Sequence, residues 1–133
     1  MNQELSNFPN TQHSLDPAVL ESLRVMLGDD GAIFAKIIQC YLEESPQLIE
    51  DISYSINTKN AQMLEQTAHK LKSSSASMGA MVIYNLCLQL ENMGESGNLE
   101  GSLELFSRLA QDYEVVEIIL REKIKENYNR EQA

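Results

Sequence analysis

Apolar residues recurring at helical spacing over long stretches, with only short breaks between the stretches, constrain this chain most. Ile33, Phe34, Ile37, Ile38, Tyr41 and Leu42 form one such stripe, which resumes beyond Glu43-Glu44-Ser45-Pro46 in Leu48, Ile49, Ile52 and Ile56. Pro46 removes one backbone hydrogen bond and clashes one turn back, so a kink is expected there rather than an end. A last helix is expected from Leu99 to near Asn127. It carries Leu103, Phe106, Leu109, Ala110, Tyr113, Val116 and Leu120, widened by Leu105, Val115, Ile118, Ile119 and Ile124.

The breaks are equally legible. Asp16 and Pro17 suit the N-cap and first position of a short helix ending near Gly28, and Asp29 or Asp30 can cap the next. Asn57-Thr58-Lys59-Asn60 reads as a turn, Ala61 to Met78 as a third helix, and Gly79 as the break before a fourth from Ala80 to about Met93. Gly94-Glu95-Ser96-Gly97-Asn98 reads as a loop. Long amphipathic helices on short loops predict an all-α fold, an antiparallel four-helix bundle with an additional short N-terminal helix. Residues 1–14 are polar and aperiodic and are expected to form a loose tail, which holds His13. One domain over 15–128 and a loose end over 129–133 complete the expected organisation.

A chain of 133 residues suits one domain with one core and is too short for a kinase with its own nucleotide site. The formal charge of -10, from 20 acidic against 10 basic residues, repels phosphate backbones and anionic lipid, so neither nucleic acid nor a membrane surface is an expected partner. Cys40 and Cys87 both sit in apolar helical patterns, where a thiol acts as a small hydrophobe. Two reduced thiols suit the cytosol, although composition leaves a bridge between them open. No apolar run approaches the roughly 20 residues that span a bilayer. Met1 to Ser14 has no basic start followed by an apolar core, and a cytoplasmic protein is expected.

The third helix carries the candidate chemistry. With about 100° of turn per residue, Ala68, Leu71, Ser75 and Met78 lie within about 40° of Leu64, and His69 lies roughly 140° away. Its imidazole is expected to face solvent, on the side where Gln62, Glu65, Gln66, Ser73 and Ala76 would meet a partner. Serine is a mediocre helix former, so the run at 73, 74, 75 and 77 calls for a steric reason. Small residues at Ser73 and Ala76 lower the rim around the ring, and Ser75 on the inner face permits close helix packing. Lys72 neighbours His69 on the helix surface, where an ammonium would stabilise a phosphoryl group on the imidazole. Neutral imidazole is a nucleophile near physiological pH. The pattern is that of a phosphoryl acceptor without an ATP site.

The segment His69-x-Leu71-Lys72-Ser73-Ser74-Ser75-x-x-Met78-Gly79, followed by Ile83, Leu86-Cys87 and Leu90-Glu91, resembles the histidine-containing phosphotransfer (HPt) domains of phosphorelays, over about residues 15 to 125. That family's signature reads His-x-Leu-Lys-Gly-Ser-x-x-x-Leu-Gly and Leu-Cys-x-x-Leu-Glu. The resemblance implies that His69 accepts phosphate at its distal ring nitrogen from a receiver-domain aspartate and passes it to another. Partners would be response-regulator receivers or a hybrid histidine kinase; the chain itself would need no cofactor, because Mg²⁺ on the receiver supplies the catalysis. Ser73 departs from the family's usual glycine one turn after the histidine, where the receiver comes closest. Glu91 has two readings, a hydrogen-bond partner steadying the imidazole from the neighbouring helix or a solvated charge. Met81, Tyr84 and Leu88, opposite the Ile83, Leu86 and Leu90 stripe, are either covered by another helix or part of a docking patch. The absence of a sustained heptad seam predicts a monomer. The competing reading is a helical-bundle adaptor that binds a receiver-like partner without phosphate turnover.

Overall fold

The computed structural model describes residues 14–28 and 30–132. Among them the chain forms five helices: α1 (Pro17–Met26), α2 (Gly31–Asn57), α3 (Ala61–Met78), α4 (Met81–Ser96) and α5 (Ser102–Gln132). Helices α2 to α5 form the bundle, each packed against its sequence neighbour, with α5 closing back on α2. Helix α1 lies across α2 and α3. The caps are those that the residue types favour. Asp16 accepts from Ala18 N at 3.0 Å with Pro17 in the first turn, Asp30 accepts from Ile33 N, and Asn60 accepts from Met63 N. Of the two candidate caps for α2, Asp30 does the work; Asp29 lies outside the described residues, as does His13.

The apolar stripes meet in one core. Leu64, Ala68, Leu71, Ser75 and Met78 on α3 are all buried, together with Ile38, Ile52, Ile83, Leu90, Leu109, Val116 and Leu120 from the other bundle helices. Two residues of the expected α5 stripe are not covered: Leu103 and Ile118 are 60% and 66% exposed. Ile118 is two positions from both Val116 and Leu120, which turns it to the opposite side of the helix. Cys40 is likewise exposed rather than packed, while Cys87 is buried, and the two thiols do not bridge. Helix α2 runs unbroken through Pro46, and in the preceding turn Ser45 Oγ donates to the Tyr41 carbonyl at 2.6 Å.

Three boundaries differ from the sequence reading. Gly94 is not in a loop; it is buried inside α4, where a Cβ would lie 2.6 Å from Glu65 N and 2.7 Å from the Ala61 carbonyl oxygen. Helix α5 begins at Ser102 rather than near Leu99, after Gly101 in a left-handed conformation, and continues through Gln132, with Asn127 Nδ2 donating to Gly31 O at 2.9 Å. Ser14, grouped with the polar tail on composition, is 2% exposed and donates to Asp112 Oδ1 at 2.7 Å.

Candidate functional site

Helix α3 is tied to its neighbours near its C-terminal end. At its C-terminus Gly79 has φ +79°, and a Cβ there would meet Asp16 O at 2.8 Å and Val19 Cβ at 2.9 Å. The missing side chain lets Asp16 N donate to Gly79 O at 2.8 Å and ties α1 to the end of the histidine helix. One turn earlier, the buried hydroxyls of Ser75 and Tyr41 share a hydrogen bond of 2.8 Å that fixes α3 against α2, and burial pushes the Tyr41 phenol up. Ser74 and Ser77 turn their hydroxyls back onto carbonyls of their own helix, those of Lys70, Leu71 and Ser73. The serine run thus holds one interhelical bond, at Ser75.

His69 stands on the open side of this helix with 58% of its side chain exposed. Its Nδ1 lies 2.8 Å from Glu91 Oε2, which reaches across from α4, and Lys72 Nζ lies 2.6 Å from the other oxygen, Glu91 Oε1. One carboxylate therefore bridges the two α3 residues. A carboxylate only accepts, so the ring donates this bond from Nδ1, and in the neutral imidazole the lone pair then lies on Nε2. Burial would raise the Glu91 carboxyl, but the contacts with Lys72 and His69 outweigh it and hold the group below its ordinary value. The same contact with Glu91 lifts the Lys72 ammonium against partial desolvation. One turn back on α4, burial pushes the Cys87 thiol up to about 12, so it stays protonated and inert beneath the site.

The structure brings His69, Lys72 and Glu91 together, and Glu91 is a bonded partner rather than a solvated charge. Around them Gln62, Gln66 and Ser73 are exposed, and Glu65 and Ala76 are half-buried. Met81, Tyr84 and Leu88 are all half-buried and stand outside the core cluster, so no helix covers them completely. Past Ser77 the α3 surface runs into an open apolar groove against Ala18, Val19, Leu23 and Met26 of α1. The Tyr41–Ser75 bond and the burial of Gly94 were missed in the sequence. The signal for the first was a serine on an otherwise apolar face, and for the second a glycine three residues after Glu91 in a pattern that was still helical. Among the described residues no group of three or more His, Cys, Asp or Glu side chains is placed to hold a metal ion, and no helix is long and apolar enough to cross a membrane.

Comparison with known proteins bears on the family and the fold. Multistep phosphorelay regulator 1 of Schizosaccharomyces pombe is 29% identical over 92 residues, which cover 68% of this chain and 31% of that protein. Histidine-containing phosphotransfer protein 2 of Arabidopsis thaliana is 26% identical over 110 residues, 79% of this chain and 68% of that protein. The chain thus spans about a third of the first relative's length and about two thirds of the second's. Among solved structures, histidine-containing phosphotransfer protein B of Pseudomonas aeruginosa PAO1 shares the fold with a TM-score of 0.78 at 24% identity, covering 85% of this chain and 96% of that one. The family model described as Hpt domain matches residues 36–118, a span that contains His69, Lys72 and Glu91. The chain belongs to the Hpt domain family.

Proposed function

We propose that this chain is a phosphorelay intermediate that carries a phosphoryl group on His69 Nε2 between receiver domains. The observation that supports the reading is the His69 Nδ1–Glu91 Oε2 contact of 2.8 Å, which ties the ring through Nδ1 and, in the neutral imidazole, leaves the lone pair on Nε2. In the forward step the Nε2 lone pair attacks the phosphorus of a receiver's aspartyl phosphate. The N–P bond forms, the P–O bond to the aspartate breaks, and the aspartate leaves as a carboxylate. The ring keeps its Nδ1 proton and gains positive charge, which Glu91 offsets from the opposite side. Transfer to a second receiver is the same step reversed. Lys72, held at the foot of the site by Glu91, supplies positive charge beside the phosphoryl oxygens.

The partners in this reading are response-regulator receivers and a hybrid histidine kinase, in the cytoplasm, and each receiver brings the Mg²⁺ that its aspartate chemistry needs. The chain acts as a monomer and a carrier rather than an enzyme. Docking falls on the open face of α3, where Gln62, Glu65, Gln66, Ser73 and Ala76 surround His69, and extends past Ser77 into the apolar groove along α1. Incubation with a phosphorylated receiver should place an acid-labile, alkali-stable label on the chain, and ATP with Mg²⁺ alone should leave it unlabelled. Tight binding without label would favour an adaptor, and labelling by ATP alone would overturn the carrier.

A further inference from the structure

We infer that Gly94 is a positioning residue for the His69 site, acting by letting α4 approach α3 closely enough for Glu91 to reach the imidazole; the inference rests on the carrier reading only for its kinetic consequence. Gly94 follows Glu91 by three residues on α4, and its Cα packs against the backbone of Ala61 and Glu65. Glu65 in turn precedes His69 by four residues on α3. The close approach therefore lies one turn from the site on both helices.

The space available to a side chain there is negative. A Cβ at position 94 would lie 2.6 Å from Glu65 N, 2.7 Å from Ala61 O and 2.9 Å from Glu65 Cα. All three are backbone atoms, which cannot swing aside as a side chain would. Restoring a contact of about 3.5 Å requires the helices to separate locally by roughly 1 Å. The His69–Glu91 bond, at 2.8 Å, has only a few tenths of an ångström to give before it leaves hydrogen-bonding range. Separation at Gly94 thus opens the bond that keeps the ring proton on Nδ1. A ring released from Glu91 shifts toward the Nε2–H tautomer that free histidine side chains favour, and that tautomer has no lone pair at the attacking atom. Helix propensity predicts the reverse outcome, because alanine is a better helix residue than glycine. Packing and propensity therefore give opposite predictions for the same substitution.

The test compares wild type, Gly94→Ala and Leu120→Ala, a core truncation on α5 that removes packing without touching the α3–α4 contact. Two-dimensional ¹⁵N–¹H spectra of the imidazole report the tautomer directly, without any partner. Wild type and Leu120→Ala should show Nδ1–H at His69, and Gly94→Ala should shift toward Nε2–H. Single-turnover transfer from a phosphorylated receiver should slow by about tenfold to a hundredfold in Gly94→Ala. Adding Gly94→Ala to Glu91→Ala, which removes the acceptor outright, should cost nothing more, because both act through one bond. Should Gly94→Ala fail to fold in plain buffer, all variants are compared in trimethylamine N-oxide, which favours the compact state. A folded Gly94→Ala with the wild-type tautomer overturns the inference, as does full additivity with Glu91→Ala, or an equal tautomer shift in Leu120→Ala. A wild-type chain that accepts no phosphoryl group removes the carrier reading, and the tautomer comparison then decides the role of Gly94 unaided.

Discussion

Glu91 and Asp112 are both partly buried carboxylates at contacts between separate segments of the chain, and they are driven in opposite directions. Glu91, at the α3–α4 seam, has Lys72 on one oxygen and His69 on the other, and its acidity is strengthened in spite of burial. Asp112 on α5 accepts a single bond from Ser14 Oγ, its Oδ2 is buried without a partner, and burial raises its carboxyl. Burial alone pushes a carboxylate toward neutrality, and only a cation or a good donor restores the charge. The negative charge behind His69 is thus a product of the two α3 side chains that face it. The Asp112 contact anchors the start of the described chain at a cost in desolvation.

Removing His69 should break the comparison at its strongest point. His69→Gln is expected to abolish transfer from a phosphorylated receiver while changing unfolding free energy by less than about 0.5 kcal/mol, as for an exposed position. Persistent label on that variant would mean that Glu91 steadies a residue that carries nothing. Glu91→Gln keeps the shape and removes the charge, and transfer should slow by about 10- to 100-fold, the usual loss when the partner orienting a reacting histidine is changed. A wild-type rate would put Glu91 on the same footing as Asp112, structural only. Lys72→Ala should shorten the phosphohistidine lifetime by about two- to fivefold, the worth of one solvent-facing ion pair, with receiver affinity by calorimetry unchanged. A wild-type lifetime would remove the lysine from the site.

The smallest effect sharpens the contrast through pH. Glu91 has a folded value below the unfolded one, so its contribution is present above its ordinary value of 4.5 and fades as pH falls through the folded value. Asp112 has a raised folded value, so it costs stability at neutral pH and the cost disappears as the group protonates. Asp112→Asn, which can still accept from Ser14, should therefore raise Tm at pH 7 by no more than about 3 °C, with the gain shrinking toward pH 4. A gain that grows as pH falls would reverse the assignment of the burial penalty.

Much of this arrangement was legible in the residues. The 100° rotation from Leu64 separated the buried Ala68, Leu71, Ser75 and Met78 from an exposed His69, because a helix converts sequence spacing into direction without further information. The cap at Asp16 and the break at Gly79 were legible for the same local reason. Gly94 was misassigned because a glycine beside Gly97 and Asn98 carries a loop signal, and only a neighbouring backbone at van der Waals range reveals a different use. Leu103, Ile118 and Cys40 looked like core because hydrophobicity states what a side chain tolerates, whereas coverage depends on where the next helix lies.

The sequence by itself determined the helices, their caps, the buried face of α3 and the exposure of His69, since each follows from interactions within a few residues. The tertiary structure alone decided which of the two readings of Glu91 holds, whether Ser75 was merely small or bonded to Tyr41, and why Gly94 and Gly79 carry no side chain. Those outcomes depend on distances between segments 22 and 34 residues apart for Glu91 and Ser75, and between helix backbones for the glycines. Helical periodicity fixes angle around one axis, and it contains no information on the separation between two axes.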